Sequence, residues 1–392
     1  MNNKSSVRVG IVGVGNIGSA HASAIAEGKI PSLTLTALCD NDERRADELR
    51  RSYPSIPVFE NAEKLFASGK VDAVVIATPH YDHPPLAIRA FSYGLHVLTE
   101  KPAGVYCGAV REMVDAAKQS GKLFAIMFNQ RTNKLFRAAK DLMESGALGE
   151  MKRNVWIITN WYRKQAYYDS GAWRASWRGE GGGVLMNQAP HNLDLWQWIC
   201  GMPCEIYADC GVGRFHEIEV EDEATIFARY PNGATGTFIT STGDYPGTNR
   251  LEIAGTLGKL VIENKTLTFY RLPISERNYC LTAEDTPKLQ PEAVVIEDES
   301  YQGHHRVLEQ FGRAILYGEP LVATGEEGLR ELTICNAAYL SAWQNRTVSL
   351  PLDDKEYLSE LQKKIDGGKA IGKARSTDQS STEYHPRWNT NW

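Results

Sequence analysis

Two side chains in this sequence combine proton chemistry with an informative context: Lys101 in "LTEKPAG" and His191 in "GGGVLMNQAPH". An imidazole titrates near neutral pH, so His191 is suited to take a proton from a reacting hydroxyl or return it. A protonated Lys101 would stabilise charge building on that oxygen, and burial or a neighbouring cation could instead lower its pKa until it shares the proton. Four positions before His191 stands Asn187, an amide that cannot hold charge but donates and accepts hydrogen bonds at once, which suits it to orient a substrate hydroxyl. Pro190 belongs in the first turn of a helix "APHNLDLWQWIC", which makes Asn187 or Gln188 its expected N-cap. Taken singly, a lysine beside a proline is usually just solvated, and His191 can be read as an incidental helix residue. The elements that would position them decide between these readings.

The first such element is "VRVGIVGVGNIGSAHASAI", an apolar strand running into Gly13, Gly15 and Gly18, with Asn16 and Ile17 opening a helix. That order suits a dinucleotide pyrophosphate: one glycine for the turn, one for close approach of the backbone, one for helix packing, and a helix N-terminus facing the anion. A second strand, "LTLTALCD", ends at Asp40, where a carboxylate would bind the adenosine ribose hydroxyls. It would repel a 2'-phosphate, so NAD is expected and NADP disfavoured, although Arg44 and Arg45 keep NADP open. The plainer alternative makes Asp40 only the start of the helix that follows. Strand and helix signals then alternate to about residue 127, as in a mainly parallel sheet with helices on both faces. Ligands of such sheets lie beyond the carboxyl ends of the strands. There the sequence places Thr78, Pro79, His83, Glu100, Lys101 and Asn129 as cofactor-contacting candidates, with Pro102, Gln130 and Arg131 beside them.

After Asn129 the rhythm becomes strand-rich, with an Asn232-Gly233 hairpin signal between two apolar runs, so a second, β-rich domain of antiparallel character is expected. The approach to the glycine-rich stretch carries Arg163, Tyr168, Trp173 and Arg174 among other aromatics and arginines. Planar apolar faces suit the C–H faces of sugars and guanidinium groups suit phosphate or carboxylate oxygens, so these four are substrate-binding candidates for a carbohydrate; packing in the sheet or at a subunit contact explains any one of them equally well.

Bulk properties narrow the partners. The 392 residues, 42% of them apolar, suffice for about two domains; a formal charge of -5 without a long basic run argues against nucleic acid. No segment approaches the roughly 18 to 20 unbroken apolar residues of a membrane span, and the N-terminus lacks the order of a signal peptide. Seven scattered cysteines without a C-x-x-C pair fit a reducing cytoplasm. Adjacent His304 and His305 do not share a helical face and have no surrounding ligand set, so no metal is expected. The polar tail ends in Trp388 and Trp392, which suggests an arm docking on this or a neighbouring subunit.

Taken together, "GIVGVGNIGSAH", "VVIATPHYDH", "LTEKPAG" and "GGGVLMNQAPHNLDLWQW", in that order across nearly the whole chain, resemble the Gfo/Idh/MocA family of glucose-fructose oxidoreductase and inositol 2-dehydrogenase. The resemblance implies an N-terminal Rossmann domain (1–127) and a C-terminal α/β domain (128–366) with an open, mainly antiparallel sheet for substrate binding and subunit contact, followed by the arm (367–392). A homodimer or homotetramer is implied. So are catalytic roles for Lys101 and His191, and a place in the substrate pocket for His304. Where inositol dehydrogenases carry an aspartate four residues before the histidine, this chain has Asn187, a departure from an Asp-assisted relay that looks like a branch acting on nucleotide sugars or glycosides. The implied activity is NAD-dependent oxidation of a secondary sugar hydroxyl, for example at C3, or the reverse. The alternatives are glycoside hydrolysis through transient C3 oxidation and elimination, and a cofactor-binding regulator with no turnover.

Overall fold

The computed structural model describes residues 6–171, 173–284, 291–297 and 303–368. The expected C-terminal arm, with Trp388 and Trp392, lies outside the described residues beyond 368.

The apolar, β-branched runs of the first third pair as six parallel strands: β1 (Val7–Val12), β2 (Leu33–Cys39), β3 (Val58–Phe59), β4 (Ala73–Ile76), β5 (His96–Thr99) and β6 (Phe124–Ile126). Their order is β3-β2-β1-β4-β5-β6, so the direction of winding reverses between β1 and β4. In a doubly wound sheet that switch point opens a crevice above the carboxyl ends. Four-residue strands such as β4 (AVVI) are buried on both faces, which is why they read as unbroken apolar runs.

The second sheet has nine strands: β7 (Met151–Ile158), β8 (Glu205–Val212), β9 (Glu221–Arg229), β10 (Thr235–Ser241), β11 (Asn249–Gly255), β12 (Gly258–Glu263), β13 (Thr266–Arg271), β14 (Glu292–Glu297) and β15 (Val348–Ser349), in the order β14-β13-β12-β11-β7-β10-β9-β8-β15. Every pair is antiparallel except β7 with β10. Strand β9 alternates as a one-sided sheet must: Ala224, Ile226 and Ala228 are buried while Phe227 faces outward. The expected hairpin joins β9 to β10, with Gly233 supplying the positive φ of +83°. Helices Pro190–Cys200 and Gly328–Gln344 cover the inner face, where Trp156 and Trp196 both pack on Phe238, and the Trp196 indole donates to Asn154 Oδ1 at 2.6 Å.

The chain then returns to the first sheet. Helix Gly303–Tyr317, read from sequence as part of the second domain, buries Val307, Leu308 and Phe311 in one core with Val7, Val9, Ile11, Leu33 and Leu35 of the nucleotide unit. The Ser32 hydroxyl donates to the Glu309 carbonyl at 3.0 Å, and the Ser32 amide donates to the Glu309 carboxylate at 3.0 Å. Gly312 permits this approach, since a Cβ there would fall 2.2 Å from the Ser32 hydroxyl.

Candidate active site

A cleft of about 1560 Å³ opens at the switch point and runs to the glycine-rich stretch of the second unit. Gly13, Gly15, Asn16, Ile17, Asp40, Thr78, Pro79, Glu100, Lys101, Asn129, Arg163, Trp173, Arg174, Asn187, His191 and His304 all line it. The three glycines divide their labour. Gly13 takes φ +84° and would clash with Ala77 if it carried a Cβ; a Cβ on Gly18 would sit 2.1 Å from the Gly13 carbonyl, so Gly18 lets the helix seat on the turn. A Cβ on Gly15 would meet nothing within 4 Å, because that backbone faces the open cleft at the helix N-cap. A cradle that needs no side chain at this point fits a pyrophosphate approaching the helix N-terminus.

Asp40 accepts from the Val14 amide at 2.9 Å through one oxygen and from the Asp42 amide at 3.0 Å through the other. It thereby ties the glycine turn to the end of β2 while facing the cleft. It precedes the helix without capping it, since Asp42 is the N-cap. Arg45 is committed to the Val14 carbonyl (2.8 Å), Ser19 (2.6 Å) and Glu48 (2.6 Å), and Arg44 lies exposed against Asp42. The groups present therefore fit NAD.

At the other end of the cleft Lys101 Nζ donates to the backbone carbonyl of Asn187 at 2.8 Å, joining the two units. Burial lowers the Lys101 pKa, opposed by Glu100, Glu331 and Glu180. Burial also pulls His191 well below the ordinary imidazole value, helped by Lys101 and His304, so the ring is neutral and able to accept a proton. Its ring meets Phe128 edge-on, with centroids 6.4 Å apart. Glu100 pairs with His21 at 2.8 Å. Burial raises its pKa, but His21, with help from His304 and Lys101, more than reverses this and brings the carboxyl down to about 2. His304 arrives from the returning helix, with Asn129 Nδ2 3.1 Å from its ring and its own ring 5.8 Å from that of His21.

Four sequence expectations are corrected. His83 does not line the cleft; its ring nitrogens lie 2.8 Å from the Thr78 and Pro102 carbonyls, tying two cleft loops together from behind. His80, one turn earlier, faces the cleft instead, with Nδ1 2.9 Å from the Glu180 carbonyl and its ring edge-on to Trp173. Tyr168 is also behind the wall, paired with the Thr242 hydroxyl at 2.7 Å and packed on His216. Arg131 is core, held by Asp194 at 2.7 and 2.8 Å and by Glu327 at 2.5 Å, beneath the Phe128 and Trp198 rings. Asn187 does not cap the helix of His191: the N-cap is Ala189, and Asn187 ends a separate turn, Val184–Asn187.

The sequence reading also passed over Glu180. This carboxylate is fully buried and accepts from the Ala175 amide at 2.7 Å and from Asn187 Nδ2, with Arg174 at 3.6 Å. Burial raises its pKa, opposed first by Arg174. Arg174 is thereby partly matched, and it stacks over Tyr167 (4.6 Å) and Trp173 (4.5 Å). Nothing in the spacing marked Glu180, because its partners meet it only through the turns of 173–187. Among the described residues no group of three or more His, Cys, Asp or Glu is placed to hold a metal ion, and no helix is long and apolar enough to cross a membrane.

Residues 7–128 match the model of the oxidoreductase family with an NAD-binding Rossmann fold, and residues 136–261 match that of the GFO/IDH/MocA C-terminal domain. The chain belongs to the Gfo/Idh/MocA family. As a member it is an NAD-binding oxidoreductase. It is 26% identical to myo-inositol 2-dehydrogenase of Thermotoga maritima over 88% of this chain and 98% of that relative. The WlbA dehydrogenase of Bordetella pertussis, solved with NADH and UDP-GlcNAcA, superposes with a TM-score of 0.75 at 26% identity, covering 89% of this chain and 100% of the other. Levoglucosan dehydrogenase, solved with NADH and levoglucosan, shares the fold at TM-score 0.74 and 21% identity, over 88% of this chain and 100% of its own.

Proposed function

We propose that this family member oxidises a secondary hydroxyl of a sugar or cyclitol ring, or reduces the matching ketone, with NAD. The observation that carries the reading is the convergence of half-buried Lys101 and buried His191 at the end of a cleft whose other end is built for a dinucleotide. NAD held there supplies the two-electron acceptor or donor. His191 takes the hydroxyl proton as the carbonyl forms and returns it in reduction. Lys101, steered by the Asn187 carbonyl, donates to the reacting oxygen and stabilises the charge that gathers on it. Trp161 and Trp173 offer planar walls for the C–H faces of a ring. The names of the inositol and levoglucosan dehydrogenases, and the sugar bound to the WlbA enzyme, support a polyhydroxylated ring as substrate. A homo-oligomer with the open sheet as its contact face accompanies this reading.

The test is an NAD reduction screen over myo-inositol, levoglucosan, aldoses, uronic acids and aryl glycosides. Net NADH formation with a free ring supports the proposal. Release of an aglycone without net NADH would replace it with redox-assisted glycoside cleavage, and silence across the panel would sink it.

A further inference from the structure

Asn187 lines the cleft, yet its Nδ2 points away from it, towards two acceptors: Glu180 Oε1 and, at 3.4 Å, the Tyr167 hydroxyl. The Tyr167 oxygen already receives Arg174 Nη1 at 2.9 Å and Gln188 Nε2 at 3.1 Å, so its acceptor side faces this cluster. Glu180 is met by donors alone, the Ala175 amide, the Asn187 amide and the Arg174 guanidinium. An ionised carboxylate can only accept, so it forces the NH2 end of the Asn187 side chain towards itself. Among the described residues no hydrogen bond takes up Asn187 Oδ1, the end left for the cleft, while the Asn187 backbone carbonyl holds Lys101.

We propose that Glu180 is a positioning residue that fixes the polarity of Asn187, so that the amide presents its carbonyl oxygen to the cleft as an acceptor for a substrate hydroxyl. The inference rests on the polyol reading above and sharpens it: beside the reacting carbon the site requires a ring position bearing a free O–H, and it rejects a keto or methoxy group there. It also accounts for the amide at 187. A carboxylate at that position would face Glu180 with two acceptors and no proton between them, which costs both groups.

Two measurements on the full-length protein test this. In 15N-asparagine-labelled protein, the Asn187 side-chain NH2 signal is identified by its loss in Asn187→Ser. One of its protons should be shifted downfield by the charge-assisted bond and should move back in Glu180→Gln. A signal unmoved by Glu180→Gln overturns the proposal, whatever the turnover. With myo-inositol as the probe, Asn187→Asp should lower kcat/KM about tenfold, the cost of one mismatched buried polar contact. The double variant Glu180→Gln with Asn187→Asp should recover most of it, because the new amide donates and the new carboxylate again shows an acceptor to the cleft. Double-variant activity no better than that of Asn187→Asp, with both proteins folded, also overturns it. Absence of wild-type turnover with myo-inositol counts only against that ring as substrate and leaves the spectroscopic test to decide.

Discussion

Lys101 Nζ reaches across the boundary between the two sheets to the Asn187 carbonyl at 2.8 Å, so the same contact that joins the units also fixes where the ammonium sits in the cleft. Lys101→Met and His191→Ala should each lower kcat by about 10²- to 10⁴-fold, the usual scale for loss of a positioned acid, base or charge stabiliser. NADH affinity, read by quenching of tryptophan fluorescence, should change little in either. Wild-type kcat in one of them removes that residue from the mechanism.

Gly15 and Gly18 should fail in different ways. An alanine at 18 would press its methyl against the Gly13 carbonyl, so Gly18→Ala should lower Tm. An alanine at 15 points into open cleft at a negative φ of -71°, so Gly15→Ala should keep the wild-type Tm and weaken NADH binding at least tenfold. Thermal melts and NADH titrations of the two proteins separate these outcomes.

Arg131→Met should cost about 3 to 5 kcal/mol of stability in denaturant titrations, the penalty for leaving the buried Asp194 unpaired. The expected change in KM is small, because Arg131 lies in the core. An unchanged unfolding midpoint would contradict this placement.

Glu221 accepts from the Gly183 amide at 2.9 Å, the Leu185 amide at 2.9 Å and the Tyr339 hydroxyl at 2.7 Å, clamping the glycine-rich stretch. Burial raises its pKa to about 7, against the hydrogen bonds that favour the charged form. A carboxyl raised in the folded state holds its proton more tightly there than when unfolded. Its contribution is therefore full below about pH 4.5 and is lost as pH rises to about 7, by up to about 3 kcal/mol. Glu221→Gln should flatten that part of the stability profile between pH 4.5 and 7.5, as measured by melting at fixed salt. A slope equal to wild type would place the titration elsewhere.

The nucleotide end was legible because its signals are local: Gly13, Gly15, Gly18 and Asp40 sit in one strand-turn-helix-strand passage whose physics fixes their roles. Lys101 and His191 were singled out only through family resemblance, since the residues that surround them in the cleft come from both units. The misplacements were questions of direction. Residues 80 and 83 differ by about one turn, and only the short helical turn His80–Asp82 decides that His80 looks into the cleft while His83 looks behind it. Arg131 looked like a ligand because its partners, Asp194 and Glu327, are 63 and 196 positions away. Glu180 escaped for a different reason: its partners Arg174, Ala175 and Asn187 are only five to seven positions away, but the irregular turns that bring them together have no spacing to read.

The helix Gly303–Tyr317 bears on synthesis of the chain. The apolar side of the first sheet that it covers, including Val7, Val9 and Ile11, is complete once β6 has formed, but Val307, Leu308 and Phe311 follow more than 180 residues later. At 5 to 20 residues per second the ribosome needs roughly 10 to 35 s to deliver them. During that interval the nascent nucleotide unit carries an open greasy face, an opportunity for a chaperone and a hazard for neighbouring chains on the same message.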